Sequence, residues 1–219
     1  MKKTRDKIIS TAIQEFNAHG YAAVNLRELS VIIGVSRGNL TYHFKDKETL
    51  LEAIVNEMWD NISAEMSKTL ELPSFENMRN RTRLYYEFQK RYAFIFLDIH
   101  VQSHPAIHER FKQMIEDTIE NYMQMIALGI QLGTVKAEEI PGTYKSLVHA
   151  VWMTSFYRLA QQHTRGISED EDTEMLIWGL VLPHLTKKGV KAFKKYFGGD
   201  YYDQLGHSFD VKEHAFISF

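Results

Sequence analysis

Two groups of residues in this chain have types and spacings suited to chemistry. Gly34-Val35-Ser36-Arg37-Gly38 matches G-x-S-x-G, the nucleophile elbow in which a serine on a sharp strand-to-helix turn attacks an acyl carbon. His100, His104 and His108 recur every fourth residue, a comb through which imidazoles on one helix face can share a transition metal. Each reading depends on the element that carries the residues.

The elbow needs a strand before the serine and earlier strands beside it. Only 35 residues precede Ser36, and they read as two helices. Ile8, Ile9, Ala12, Ile13 and Phe16 form one helical stripe, ended by His19-Gly20. Asn25 with Glu28 three residues on is a capping-box variant, and Leu29, Ile32 and Ile33 carry that short helix to Gly34. Ser36 then serves as the N-cap of another short helix, with Leu40 and Phe44 inward. Gly34 supplies the positive φ that ends the preceding helix, Val35 plugs the gap, and Gly38 keeps the first turn slim. A helix, a tight glycine turn and a second short helix make a helix-turn-helix, whose second helix enters the major groove of DNA. Arg37, Asn39, Thr41, Tyr42 and His43 are its outward residues.

The metal comb is weaker. Pro105 favours a helix break at His104, which takes His100 off the face shared by the other two. A metal-responsive protein using the three histidines stands as an alternative reading, with no metal or other cofactor expected on the leading one.

Charge agrees with a nucleic-acid partner at one end only. Residues 1–50 hold eight Lys or Arg against five Asp or Glu, while the remaining residues hold 18 against 23. The chain has no cysteine, which excludes disulfides and thiolate chemistry, and no Gly-rich phosphate loop. No apolar run approaches the roughly 20 residues of a membrane span, and the charged start lacks a signal-peptide core. A cytoplasmic protein without a membrane partner is expected, and an enzyme is not.

Asp46 caps a longer helix with Leu50, Leu51, Ile54, Val55, Met58, Ile62 and Met66 as its stripe, and the seam between head and body falls near 70–73. The body reads as four or five long helices, broken near His104-Pro105, Gly133, Pro141-Gly142 and Gly166. One helix, acidic over 168–172 and basic over 187–195, is expected to be interrupted or kinked around Pro183. No alternating strand pattern occurs, so the fold class is all-α, with an N-terminal helix-turn-helix DNA-binding domain and a C-terminal helical ligand-binding and dimerisation domain. The predicted divisions are 1–48 (helix-turn-helix about 25–44), a linking helix at 49–72, a body at 73–197 and an aromatic tail at 198–219.

Residues 6–55 resemble the DNA-binding domain of the tetracycline-repressor (TetR) family of bacterial transcription regulators. The resemblance is carried by Ile8-Ile9-x-x-Ala12 with Phe16 and Gly20-Tyr21, then Asn25-Leu26-Arg27-Glu28-Leu29, then Gly34 to Gly38. It continues through Leu40, Tyr42-His43-Phe44 and Lys45-Asp46-Lys47-Glu48-x-Leu50. Ser30 and Thr41 depart from the Ala and Tyr frequent in the family. The resemblance implies a three-helix head, a linking fourth helix and a homodimeric, effector-binding body, hence a repressor released from a near-palindromic double-stranded operator by a small molecule. It implies that Asn25 and Arg27 touch phosphate, that Ser36, Arg37, Gly38, Asn39 and Thr41 face the groove, that Tyr42 and His43 lie along the backbone, and that Lys47 clamps phosphate. A helical enzyme or adaptor without DNA binding is the rival class.

Within the body, Tyr85, Phe88, Tyr92, Phe96, Met123, Trp152 and Phe156 are candidate lining of an apolar effector pocket. The stretches 144–158 and 175–193 hold more apolar residues than one core-facing stripe needs, among them Leu147, Val151, Leu176, Leu180 and Leu185. They are the expected dimer seam. The tail residues Tyr201, Tyr202, Phe209, Phe216 and Phe219 predict that the tail is held by its own body or by a partner subunit.

Overall fold

A computed structural model describes residues 2–67, 74–166 and 173–206. The elements are helical throughout: α1 (Lys2–His19), α2 (Leu26–Ile33), α3 (Arg37–His43), α4 (Lys47–Ser67), α5 (Phe75–Arg91), α6 (Ala93–Leu97), α7 (Ile99–Gln102), α8 (Pro105–Gln131), α9 (Thr143–Phe156), α10 (Arg158–Arg165), α11 (Thr173–Val181), a 3₁₀ turn (Leu182–His184), α12 (Lys187–Phe197) and α13 (Gly199–Asp203). The only β pairing among the described residues is a single bridge between Val135 and Leu185.

The head forms because three short amphipathic helices close over one stripe. Ile8, Ala12 and Phe16 of α1, Leu29 of α2, Leu40 of α3 and Leu50 of α4 are fully buried. Each large side chain so buried stabilises the head by roughly 1.5–3 kcal/mol. Ile32 departs from its expected place, lying half-exposed on α2 while Ser30 is buried instead. The α4 stripe holds as read, with Ile54, Val55 and Met58 inside.

The same core continues without a gap from α1 to Phe88 and Tyr92 of α5, Phe94 to Phe96 of α6, Phe111 of α8 and Phe156 of α9. Asn17 of α1 marks the crossing. Its side chain donates to the Arg91 carbonyl (2.9 Å) and accepts from the Phe94 amide (3.0 Å), while Phe16 packs against Phe94 with centroids 5.1 Å apart.

The body breaks its helices at His104-Pro105, Gly133, just before Thr143 and at Gly166, as the sequence suggests. Three further breaks, at Tyr92, Asp98 and Tyr157, carry no proline or glycine signal. The helix expected to be interrupted or kinked around Pro183 is interrupted there, which gives α11 and α12. The chain ends α11, makes a 3₁₀ turn and extends at Leu185, and Thr186 caps α12 by accepting from the Gly189 amide. The Thr134 carbonyl accepts from the Thr186 amide, and the loop after α8 lies so close that a side chain at Gly189 would strike Thr134. The acidic run 168–172 lies outside the described residues.

A second aromatic cluster seats the far end of the body. Trp178, Phe193, Phe197 and Phe75 pack ring against ring, and Tyr201 stacks on Phe197 at 4.8 Å. Glu174, buried among them, forms an ion pair with Arg79 at 2.8 Å and accepts from Arg83 (3.0 Å), Trp178 Nε1 (3.3 Å) and Tyr201 Oη (3.2 Å). The first turn of the tail is therefore held by its own chain; Phe209, Phe216 and Phe219 lie outside the described residues. Two residues assigned to the dimer seam belong instead to the protomer interior. Val151 and Leu185 are 3% and 6% exposed because α9 and the turn after α11 direct them against α8 and α12.

Candidate nucleic-acid interface and effector cavity

The turn between α2 and α3 is built by side chains one turn away from the groups they satisfy. Asn25 accepts from the amides of Arg27 (3.1 Å) and Glu28 (3.0 Å) and so starts α2. Gly34, at φ 75°, ends it in the left-handed conformation that only glycine adopts cheaply, and the Lys7 ammonium donates to the Ile33 carbonyl at 2.9 Å. Ser36 then accepts from the Asn39 amide (3.1 Å) and starts α3. A serine whose hydroxyl caps a helix between two helices is in the geometry of a turn, and no strand precedes it among the described residues.

Leu40 is the one residue of α3 that points fully inward. Arg37, Gly38, Asn39, Thr41 and Tyr42 are exposed on the outer face, with Tyr42 71% exposed and set edge-on to His43. The Thr41 hydroxyl donates back to the Arg37 carbonyl (3.0 Å). A side chain at Gly38 would meet nothing closer than 4.0 Å, so packing within the chain does not require glycine there. On such a face Arg can pair bidentately with guanine and Asn with adenine.

Around the helix-turn-helix, Asn25 and Arg27 are exposed at the start of α2. Lys47 is engaged within the fold. Its ammonium lies 4.2 Å from the Tyr21 ring centroid and donates to the Ala22 carbonyl at 3.4 Å, and burial draws its pKa below the usual lysine value. It ties the start of α4 to the α1–α2 turn. Burial pushes the Tyr21 phenol up to about 12, with Glu48 and Asp46 adding to the shift.

The histidine comb does not assemble. His100 lies in α7, His104 caps α8 by accepting at Nδ1 from the Ala106 amide (3.3 Å), and His108 is exposed on α8. Among the described residues no group of three His, Cys, Asp or Glu side chains is placed to hold a metal ion. The proline break expected to separate the histidines is the physical reason.

Among the cavities of the body, two lie along α5, α8 and α9. One, about 470 Å³, lies between α4, α5, α8 and α9 and is lined by Trp59, Arg81, Tyr85, Arg110, Tyr122 and Trp152, among others. The other, about 400 Å³, is almost wholly apolar and lies between the start of α5, the end of α8, α9 and the α11–α12 turn. Both fall within the size range of small-molecule sites. Of the seven lining candidates, only Tyr85 and Trp152 border the first cavity. Phe88, Tyr92 and Phe96 are core, as is Phe156, which with Trp152 also edges a third cavity of about 400 Å³ beside α7. Met123, 36% exposed on α8, borders none of these spaces. Pattern reading missed Trp59, Arg81 and Tyr122. The spacing of Arg81 and Tyr85 by four on α5 was the one available signal that a cation shared their face.

The family models matching the chain are that of bacterial regulatory proteins of the tetR family, over residues 8–54, and that of a bacterial transcriptional repressor, over residues 50–193. Among curated relatives, a probable HTH-type transcriptional regulator of Bacillus subtilis is 37% identical over 31% of this chain and 31% of its own length. A probable acrEF/envCD operon repressor of Escherichia coli is 31% identical over 36% of this chain and 37% of its own length. The chain thus spans about a third of the length of these relatives. The fold matches more fully. A TetR-family regulator from Marinobacter aquaeolei superposes with a TM-score of 0.74 at 18% identity, covering 87% of this chain and 96% of that one. The SmeT–triclosan complex does so with a TM-score of 0.62 at 19% identity, covering 86% and 94%. No helix among the described residues is long and apolar enough to cross a membrane. Because the two models between them run without a break from residue 8 to residue 193, the chain belongs to the TetR family of bacterial transcriptional regulators.

Proposed function

We propose that the protein is a transcriptional repressor that binds a near-palindromic operator as a homodimer and leaves it when a small molecule enters the body. The observation that carries this reading is the joining of head and body. An outward α3 with free polar side chains and a ligand-sized cavity bordered by α4 stand on one continuous core, clamped where Asn17 grips the start of α6. Movement of α4 or α6 on ligand entry then reorients the head, because a close-packed interior transmits a shift instead of absorbing it. SmeT, a relative in fold, has been seen with triclosan bound, which supports an effector reading for a body of this shape.

In this reading residues 1–48 bind DNA, 49–72 link and 73–197 bind effector and dimerise. Arg37 and Asn39 read base edges; Ser36, Gly38 and Thr41 approach the groove floor; Asn25, Arg27, Tyr42, His43 and the α4 start with Lys47 meet phosphate. The dimer forms through the outer faces of α9 and α11, where Met153 (47% exposed) and Leu176 (50%) lie on two helices packed together and Tyr157 (43%) directly follows α9. One head offers a seven-residue reading helix, too little for tight specific binding, and a twofold pair doubles it.

Selection of bound duplexes from a random pool tests the reading. Enrichment of an inverted repeat, with affinity falling steeply as salt rises, is the expected result. A pool that yields no shared sequence overturns it.

A further inference from the structure

The two body cavities lie end to end along the same three helices. On α5 the lining passes from Met78 in the apolar cavity to Arg81 in the other, and on α9 from Val151 to Trp152. On α8 it runs from Arg110 to Leu132, a span of roughly 30 Å. Tyr122, half-buried in the middle of α8, is the one described residue that borders both. Tyr122 is thus a wall common to both.

Their chemistry differs in a directed way. The cavity at the α8 end is walled by Phe75, Leu128, Val148 and similar residues. The cavity beneath α4 holds the donors. The Trp59 indole N–H is buried without a hydrogen-bond partner, and the Tyr85 hydroxyl is buried beside Gln89 without an aligned bond. Neither Arg81, half-buried, nor Arg110, exposed at the rim, has a carboxylate partner among the described residues; Asp117, also at the rim, accepts from Gln113 at 2.9 Å. Buried donors left without acceptors are costly, and a guanidinium fork matches a carboxylate.

Building on the effector reading above, we propose that the two cavities are one bipartite site, partitioned by Tyr122, that takes an amphiphilic carboxylate. Its head lies among Arg81, Trp59 and Tyr85, and its apolar chain passes Tyr122 into the cavity lined by Phe75 and Val148. Ligands with a short chain stay on the α4 side, and longer ones turn the Tyr122 ring aside and occupy both spaces.

Titration of the whole protein with straight-chain saturated carboxylates from octanoate to palmitate, each below its micelle concentration, reads binding through the Trp59 and Trp152 fluorescence. Affinity should rise by up to about fourfold per added CH₂ and keep rising well past octanoate, since each methylene enters an apolar space. In Tyr122→Trp, which thickens the partition, the rise should stop at the shorter chains. Tyr122→Leu should extend it and keeps the test decisive where the bulkier variant misfolds. Arg81→Gln should weaken palmitate about tenfold and leave its neutral analogue hexadecanol unchanged. Chain-length profiles identical in wild type and both Tyr122 variants would show two independent cavities and overturn the proposal, as would absence of carboxylate binding. Operator release, measured separately, judges the effector reading. Palmitate that binds with the expected profile yet leaves the operator complex intact would sink the reading and spare the site.

Discussion

In the head, the groups that start and stop each helix lie within a few residues of one another: Asn25 serves Arg27 and Glu28, Ser36 serves Asn39, and Gly34 turns on its own backbone freedom. In the body, local caps such as His104 and Thr186 recur, but other polar contacts that fix the helices join residues far apart. Arg83 reaches Glu174 across 91 positions, and the Tyr86 hydroxyl donates to Gln162 across 76 at 2.6 Å. The first kind of instruction can be read from a short window of sequence, and it makes a small, pre-shaped surface. The second is visible only after folding, and it leaves spaces between helices. A regulator needs both: a head that keeps its shape on DNA and a body whose helices can be parted by a ligand.

Removing the dimer should separate the two regions most sharply. Leu180→Asp places a charge on the outer face of α11, where Leu180 is half-exposed beside Leu176. The head's caps are untouched, so helicity should persist while operator affinity falls at least about a thousandfold, toward the non-specific level. Sedimentation equilibrium and a gel shift check the two halves. A variant that remains dimeric would move the seam off α11.

Glu174→Ala strikes the body's long-range hub. The variant leaves Arg79 and Arg83 without their shared carboxylate beneath Trp178 and Tyr201. Because Arg83 is more than half exposed and can turn to water, the loss should sit at the low end of the range for broken buried pairs, about 3 kcal/mol by urea unfolding. A loss below about 1 kcal/mol would mean that the aromatic cluster alone seats α13.

Much of the head was legible. The three stripes, both caps and the turn follow from residue types at fixed offsets. Two details were not: Ile32 turns outward, and only the folded α1–α2 turn brings Tyr21 and Ala22 beneath Lys47. The body's helices were legible by period, yet the use of each face was not. Phe88, Tyr92 and Phe96 look like Tyr85 and Trp152 in sequence, and what divides core from cavity wall is the spacing between helices, set by side chains elsewhere. Val151 and Leu185 were misplaced for the same reason: an apolar residue can face its own core or a partner, and the choice depends on where α8 and α12 lie.

On the reading surface the effects should be specific. Arg37→Ala and Asn39→Ala should each cost ~1–3 kcal/mol of operator binding and relax preference at one position per half-site. Wild-type binding by both variants would mean that α3 does not enter the groove. Asn17→Ala tests the link between the regions. Losing its paired bonds to Arg91 and Phe94 should cost about 1–2 kcal/mol of stability, and effector-driven release should weaken about fivefold while ligand binding holds. Unchanged release would place the coupling in α4 alone.

The smallest effect concerns the cap of α4, and it tests whether the head's local instructions act independently of the body. Asp46 accepts from both the amide (2.8 Å) and the hydroxyl (2.5 Å) of Thr49, and these bonds, with help from Lys45, hold its carboxyl below the usual carboxylate range. A depressed folded pKa contributes stability that is present above the unfolded value, near 4, and is lost as pH falls through the folded one. Asp46→Asn keeps a capping oxygen but cannot titrate. Between neutral pH and about pH 3, wild type should therefore lose slightly more stability than Asp46→Asn. Because the groups involved lie within one turn, that difference should be the same in a Glu174→Ala background. A difference that changes with the body variant would show that the start of α4 is held through the shared core and not by its own cap.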